Sequence, residues 1–122
     1  MTVALVWIGV AVLGGVGAVC RFLVDTAVST RHTREFPFGT LVVNLSGALL
    51  LGFLAGLALP PHTALLAGTA FVGSYTTFST WMLETQRLGE ERQAWPAAAN
   101  LGVSVALGLA AAGSGVWLGT QL

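Results

Sequence analysis

Apolar residues dominate four long stretches of the chain, at about residues 3–24, 38–59, 63–83 and 97–118, and short polar segments separate them. An apolar run of roughly 18 residues or more has the length of a helix that crosses the hydrocarbon core of a bilayer. Residues 36–83 contain no Asp, Glu, Lys or Arg, and the pair Pro60–Pro61 divides that run in two. The pattern predicts an all-α integral membrane protein with four transmembrane helices in a single domain, residues 1–122.

Composition agrees with this prediction. Hydrophobic residues make up 55% of the chain and charged residues 8%, and the mean hydropathy is +0.82. The few charged side chains cannot form the polar surface of a soluble domain, and a formal net charge of zero gives no sign of nucleic-acid binding. Cys20 is the single cysteine and is expected to pack as a small apolar residue.

The third apolar stretch contains the polar run Gly-Ser-Tyr-Thr-Thr-Phe-Ser-Thr-Trp at residues 73–81. Gly73 permits backbone angles that other residues avoid, and Ser and Thr hydroxyls can replace helical hydrogen bonds. We expect a helix broken near the membrane midplane, which is tolerated only where it is buried in protein or lines a wet cavity. Such a break frees backbone carbonyls that can bind a cation. It also directs the N-terminus of the second half-helix at the gap, and a helix N-terminus favours anions. The alternative is a continuous helix whose hydroxyls bond to its own backbone.

Two polar side chains stand out in the other spans. Asn44 lies about two turns into an apolar stretch, where it serves either as an interhelical hydrogen-bonding residue or as an N–H donor facing a pore. Arg21 lies near the end of the first stretch, where an Arg either reaches the membrane interface or is buried and paired. Asp25, one helical turn later, is its candidate partner.

Small residues recur in three of the spans. They occupy residues 14–18 and form the motifs Gly52-x-x-x-Gly56 and Gly115-x-x-x-Gly119. Because small side chains let membrane helices approach closely, these positions predict helix–helix contacts.

The sequence contains no nucleophile–His–acid set, no paired intramembrane carboxylates and no cofactor motif, so we expect no enzyme. Small drug/proton exchangers have a similar size but depend on a carboxylate in the first span, and residues 1–20 contain none. Without such a group a proton-coupled cycle has no carrier, which favours passive conduction over the alternative, a small exporter coupled to a proton or cation. The Asn44 amide, the Ser and Thr hydroxyls and the polarised ring edges of Phe78 and Trp81 suit a small anion that is held loosely.

Three blocks of the sequence resemble the signature blocks of the Fluc (CrcB) fluoride channels. They are Gly-Gly-Val-Gly-Ala-Val-Cys-Arg-Phe at residues 14–22, Pro-Phe-Gly-Thr-Leu-Val-Val-Asn-Leu-Ser-Gly at residues 37–47, and Gly-Ser-Tyr-Thr-Thr-Phe-Ser-Thr at residues 73–80. The resemblance covers nearly the whole chain in the correct order. It implies passive fluoride export from the cytoplasm by a multi-pass protein of the bacterial inner membrane.

The resemblance also implies an antiparallel, dual-topology dimer with two pores. It places a structural sodium ion at the dimer interface, held by the backbone carbonyls of Gly73 and Thr76, and it makes Arg21 structural. The pore positions that it implies are Asn44, Thr77, Phe78, Ser79, Thr80, Trp81, Asn100, Ser104 and Gly108. Two of them depart from the family pattern: Trp81 replaces the second phenylalanine of an aromatic pair, and Asn100 replaces a common tyrosine.

All five arginines lie in or beside the segments after the first and third spans, on one side of the membrane. This bias places both termini outside. An antiparallel dimer needs subunits in both orientations, so the bias conflicts with self-pairing. We expect a homodimer within the lipid bilayer, because residues 73–80 are complete, and the alternative is a heterodimer with a related chain of opposite bias.

Overall fold

The computed structural model describes residues 2–32 and 35–122, and this part of the chain is helical without any strand. Its α-helices are α1 (Val3–Ser29), α2 (Phe38–Gly56), α3 (Pro61–Ala64), α4 (Gly73–Tyr75), α5 (Ser79–Glu90) and α6 (Ala94–Thr120), and a π-helical segment (Leu65–Val72) joins α3 to α4. Within these described residues three helices, α1, α2 and α6, are long and apolar enough to cross a membrane. The chain is therefore an α-helical multi-pass membrane protein.

The remaining apolar stretch is divided between shorter helical segments. The path from Pro61 to Tyr75 runs through α3, the π-helical segment and α4, and residues 76–78, here called the interruption, separate it from α5. The prediction attributed the break to the backbone freedom of Gly73, and this attribution is wrong. Gly73 has ordinary helical angles (φ −59°, ψ −35°), and the chain leaves the helix at Thr76, whose ψ is 162°.

Helix α1 continues beyond the predicted first span, residues 3–24, and ends at Ser29, so Asp25 is part of the helix. The Ser29 hydroxyl donates to the Asp25 carboxylate at 3.1 Å. A Cβ atom built on Gly39 would overlap both of these side chains. Glycine at this position therefore lets the last turns of α1 pack directly on the first turn of α2.

The two glycine motifs pack against each other, as the sequence predicted for close-packing positions. Helix α2 makes its most extensive contact with α6, and the contact is formed by Gly52 and Gly56 on one side and Gly115 and Gly119 on the other. A Cβ atom on any of these four would overlap a backbone carbonyl of the facing helix. The helices are thus held at backbone-to-backbone distance.

The small residues of α1 make a similar contact with the third span. A Cβ atom on Gly17 would overlap the Phe71 carbonyl oxygen, and one on Gly14 would lie 3.2 Å from the Ser74 hydroxyl. Side chains on the outside of the bundle are apolar and exposed, including Trp7 and Trp117 near one end of the helices and Trp95 near the other. Such an apolar exterior suits lipid contact, with tryptophans at the two interfaces.

The α2–α6 contact makes a testable prediction. Gly115→Ala places a methyl group on the Leu49 carbonyl and the Phe53 amide and should lower stability by about 1–3 kcal/mol through overpacking. Gly113→Ala is the matched control, because its Cβ would meet no atom within 4 Å and the change favours the helix. Thermal unfolding of the detergent-solubilised protein measures both, and equal midpoints for the two variants would contradict the packing described.

Candidate functional site at the helix interruption

Asn44 of α2 forms a two-bond clamp on the backbone of Thr77. The Asn44 Nδ2 atom donates to the Thr77 carbonyl oxygen at 2.8 Å, and the Thr77 backbone N–H donates to Asn44 Oδ1 at 2.8 Å. One amide side chain thus supplies both a donor and an acceptor to the residue at the centre of the interruption. Asn44 therefore is an interhelical hydrogen-bonding residue, the first of the two roles considered from sequence. The second role, a donor that faces a pore, would use the other N–H of the same amide.

The clamp changes the bonding of a carbonyl one turn earlier. In a continuous α-helix the Thr77 N–H would donate to the carbonyl of Gly73, four residues before it. Here that N–H is directed to Asn44. The Thr80 N–H is likewise directed to the Thr77 hydroxyl at 3.2 Å and not to the carbonyl of Thr76. Two side chains therefore remove the helical donors from the Gly73 and Thr76 carbonyls, the pair that the resemblance assigned to a cation.

Arg21 reaches the interruption from α1. Its Nη1 atom donates to the Thr76 carbonyl oxygen at 3.4 Å, and the side chain is partly buried. Asp25 was the partner considered from sequence. It lines a small cavity together with Arg21, and its carboxylate accepts a hydrogen bond from Ser29. Arg21 is thus placed where it stabilises a backbone carbonyl that has lost its helical donor.

Sequence reasoning missed two contacts that shape this region. A Cβ atom on Gly47 would overlap the Thr76 methyl group, so the absence of a side chain there lets α2 approach the interruption. The Tyr75 hydroxyl lies 2.9 Å from the Ser46 hydroxyl, which ties the end of α4 to α2. The spacing of Gly47, three residues after Asn44 and on the same helical face, was the signal that could have identified it.

An open groove of about 450 Å³ lies beside the interruption, where Gly73 and Thr76 reach its wall. Five of the predicted pore residues also line it: Asn44, Thr77, Phe78, Trp81 and Ser104. The Phe78 side chain is 71% exposed, and its ring meets Trp81 edge-to-face at a centroid distance of 5.8 Å. The groove combines an apolar wall with amide and hydroxyl groups, an arrangement that suits a weakly held ion.

Other predicted pore residues lie elsewhere. Thr80 lines a second cavity of about 160 Å³ together with Arg21, and Ser79 is exposed at the start of α5. A Cβ atom on Gly108 would meet no atom within 4 Å, and Gly108 does not line either cavity. Asn100 departs most from expectation: it is fully buried, and its amide donates to Thr85 of α5.

A carboxyl group extends this polar region beyond the third predicted span. The Thr40 hydroxyl donates to the Glu84 carboxylate. Burial raises the pKa of the Glu84 carboxyl group above its usual value, and the bond from Thr40 opposes that rise. Glu84 and Thr40 therefore connect α5 to the first turn of α2 close to the second cavity.

The clamp predicts a graded response at residue 44. Asn44→Leu leaves the Thr77 N–H and carbonyl without their partners, at a cost of about 1–3 kcal/mol for each buried group. Asn44→Asp keeps an acceptor for the N–H but faces the carbonyl with oxygen, so it should fall between Leu and the wild type. Ser46→Ala, on the same helix, is the control for a lost polar group, because it removes the contact with the Tyr75 hydroxyl but leaves both bonds of the clamp in place. Thermal unfolding should rank the wild type and Ser46→Ala above Asn44→Asp, and Asn44→Leu lowest; an unaffected Asn44→Leu would rule out the clamp as a stabilising contact.

Comparison with known proteins places the chain in a family. A family model described as "CrcB-like protein, Camphor Resistance (CrcB)" matches residues 8–116. The chain is 69% identical over 122 residues to "Fluoride-specific ion channel FluC 2" of Mycolicibacterium paratuberculosis, covering 100% of this chain and 97% of that protein.

Further relatives carry related names. A protein of Mycobacterium bovis with the same name is 68% identical over 118 residues, covering 97% of this chain and 93% of that protein. "Fluoride-specific ion channel FluC 1" of Streptomyces avermitilis is 44% identical over 120 residues, covering 95% and 97%. The matches span nearly the full length of both partners and include the region of the interruption. The chain therefore belongs to the CrcB-like (Camphor Resistance) family.

Proposed function

We propose that this chain is a fluoride-specific ion channel that lets fluoride leave the cytoplasm passively and so lowers its toxicity. The family and the names of close relatives support the assignment. The observation that carries it is the groove in which an amide, hydroxyls and two aromatic rings meet beside the interruption. The protein is a channel and not an enzyme. A coupled exporter is not favoured, because the groove is lined by uncharged side chains.

The groove supplies weak donors in place of water. A primary amide has two N–H groups, and the Asn44 clamp uses one of them on the Thr77 carbonyl. The other remains for the groove that Asn44 lines. Together with the hydroxyl of Ser104, it offers hydrogen bonds to a dehydrated anion without placing a full positive charge in the path. Moderate binding of this kind lets an ion both enter and leave.

The aromatic pair provides a second kind of contact. Ring edges carry positive partial charge, and an edge-to-face pair directs one ring's edge at the other's face. Phe78 lies at the open side of the groove and is supported by Trp81 in this way. We assign Phe78 as the principal aromatic contact of the anion.

Ion flux tests the function. Proteoliposomes loaded with potassium fluoride, with valinomycin and no proton or sodium gradient, should release fluoride to an electrode, and reversing the fluoride gradient should reverse the flux. Phe78→Ile keeps apolar bulk but removes the polarised edge, so efflux should fall about tenfold or more. Chloride-loaded liposomes are the control for selectivity. Flux that requires a second ion gradient would indicate the coupled exporter, and no flux would indicate a non-conducting protein.

We further propose that the Gly73 and Thr76 carbonyls hold a structural sodium ion. The diversion of their helical donors to Asn44 and Thr77 supports this, since carbonyl oxygens suit hard cations. The Thr76 oxygen accepts one bond from Arg21 and has a second lone pair for a cation. A Cβ atom on Gly73 would meet no atom within 4 Å, so the space beside it is open. Two carbonyls are too few ligands for a hard cation, so a second copy would supply a matching pair.

Removal of sodium tests this site. Purification in N-methyl-D-glucamine in place of sodium should weaken the dimer, seen as a shift toward monomer in gel filtration, and sodium should restore it. Gly73→Ala should fold normally, because its methyl group meets nothing within the chain, yet lose the sodium-dependent recovery. A dimer that is indifferent to sodium, in the wild type and the variant alike, would exclude the site.

An antiparallel homodimer in the bacterial inner membrane is the assembly that we propose. The groove is open in the single chain, and Gly73 and Phe78 are exposed along it, which supports coverage by another subunit. The arginine bias supports the competing arrangement, a heterodimer with a related chain of opposite orientation.

Labelling distinguishes the two assemblies. His62 is exposed in α3, directly after the connection from α2, so His62→Cys in a Cys20→Ser background reports the side of the membrane on which the third span begins. When this chain is expressed alone, a homodimer predicts labelling from both sides of the membrane together with fluoride flux. Labelling from one side without flux would contradict self-pairing and indicate a missing partner chain.

A further inference from the structure

Trp81, Thr85 and Asn100 form a closed set of hydrogen bonds between α5 and α6, here called the Trp81 cluster. The indole Nε1 of Trp81 donates to the backbone carbonyl oxygen of Asn100 at 3.0 Å. The Asn100 Nδ2 atom donates to the Thr85 hydroxyl at 2.8 Å and to the Trp81 carbonyl at 3.4 Å. The Thr85 hydroxyl in turn donates to the Trp81 carbonyl at 2.9 Å. Asn100 thus contacts both the indole and the helical turn that carries it.

The buried Asn100 side chain has one polar atom that is unpaired among the described residues, which costs free energy of folding. Its side chain is fully buried, and its Oδ1 atom has no hydrogen-bond partner in the described part of the chain. Buried polar atoms in native proteins are rarely unpaired, so each exception calls for an explanation. An apolar residue of similar size would fill the same space without an unpaired acceptor. What the amide adds is its N–H group, which fixes the Trp81–Thr85 turn against α6.

The cluster determines which part of the Trp81 ring is available to the groove. An indole has a single N–H donor, and the backbone carbonyl of Asn100 accepts its hydrogen bond. Trp81 nevertheless lines the groove and packs edge-to-face with Phe78. The groove is therefore offered the carbon part of the ring and not the N–H group. A free N–H would hold an anion more strongly than a ring edge, and conduction requires weak binding.

We propose that Asn100 is a positioning residue: its side-chain amide fixes the Trp81–Thr85 turn against α6, so that the Trp81 N–H meets the backbone carbonyl of residue 100 and is turned away from the ion path, and this orientation contributes to fluoride selectivity. The inference rests on the proposed channel function for its effect on selectivity, whereas the orientation of the ring is independent of that function. Asn100 acts through Trp81 and Thr85 and does not line the groove itself.

A single-tryptophan protein makes the ring observable. The other three tryptophans, Trp7, Trp95 and Trp117, are 67%, 82% and 63% exposed and lie outside the cluster, so they can be replaced by phenylalanine. The one remaining indole ¹⁵N–¹H resonance then reports the Trp81 N–H bond and its protection from deuterium exchange. We expect strong protection in the parent protein.

Two substitutions remove side-chain bonds of the cluster while leaving the backbone carbonyl of residue 100 in place, and a third preserves those bonds. Asn100→Leu and Thr85→Val should each move the indole resonance and speed the deuterium exchange of the indole N–H. Each should also reduce the fluoride-over-chloride flux ratio by about tenfold, because a small displacement of a positioned group has a large effect on rate. Thr85→Ser keeps the hydroxyl and should preserve both readouts. Thr120→Val, which removes a comparable hydroxyl-to-carbonyl bond at the end of α6, is the control and should change neither.

A double-variant cycle tests whether Asn100 acts through the ring. In a Trp81→Phe background no indole N–H exists, so Asn100→Leu should have little further effect on selectivity. An equal effect in both backgrounds would overturn the proposal. So would an indole resonance that stays unmoved in a correctly assembled Thr85→Val or Asn100→Leu protein, or a moved resonance with unchanged selectivity. If the parent protein conducts no fluoride, the channel assignment fails, while the resonance still decides the orientation of the ring.

Discussion

The structure depends on one constraint: a backbone that leaves the helical path inside a membrane must find partners for its N–H and carbonyl groups within the protein. The interruption meets this constraint with side chains. Asn44 pairs with both backbone groups of Thr77, the Thr77 hydroxyl accepts from the Thr80 N–H, and Arg21 donates to the Thr76 carbonyl. The polar residues of an otherwise apolar chain are concentrated where the helical bonds are lost.

The glycines follow from the same requirement. Side chains of α1 and α2 reach the interruption only if those helices pack closely against the third span, and Gly17 and Gly47 leave room for that approach. Gly52 and Gly115 then bring α6 against the other side of α2. The third span is consequently held from α1 and α2 while the groove beside it stays open, and the proposed ion path and cation site both use this open side.

The number of apolar segments, the helical class and the presence of a break were predictable from the sequence, because they follow from hydropathy and from polar residues clustered in one span. The position of the break was not. It depends on the pairing of Thr77 with Asn44, 33 residues away, which local propensity does not reveal. The sequence therefore predicted the break at Gly73, whereas the chain leaves the helix at Thr76. The burial of Asn100 was missed for a similar reason. The sequence alone does not distinguish a polar residue that faces a pore from one that bonds a neighbouring helix, as Asn100 does with Thr85.

Hydrogen exchange at the Thr77 backbone amide tests the central claim most directly. This N–H group lies in no helix, yet it donates to Asn44 Oδ1 at 2.8 Å. Amide exchange in the assembled protein, read from ¹⁵N–¹H spectra, should show Thr77 protected to the same degree as amides inside α2. Exchange of Thr77 as fast as that of the exposed residue Glu35 would contradict the account, because the interruption would then be open to water and not held by the clamp.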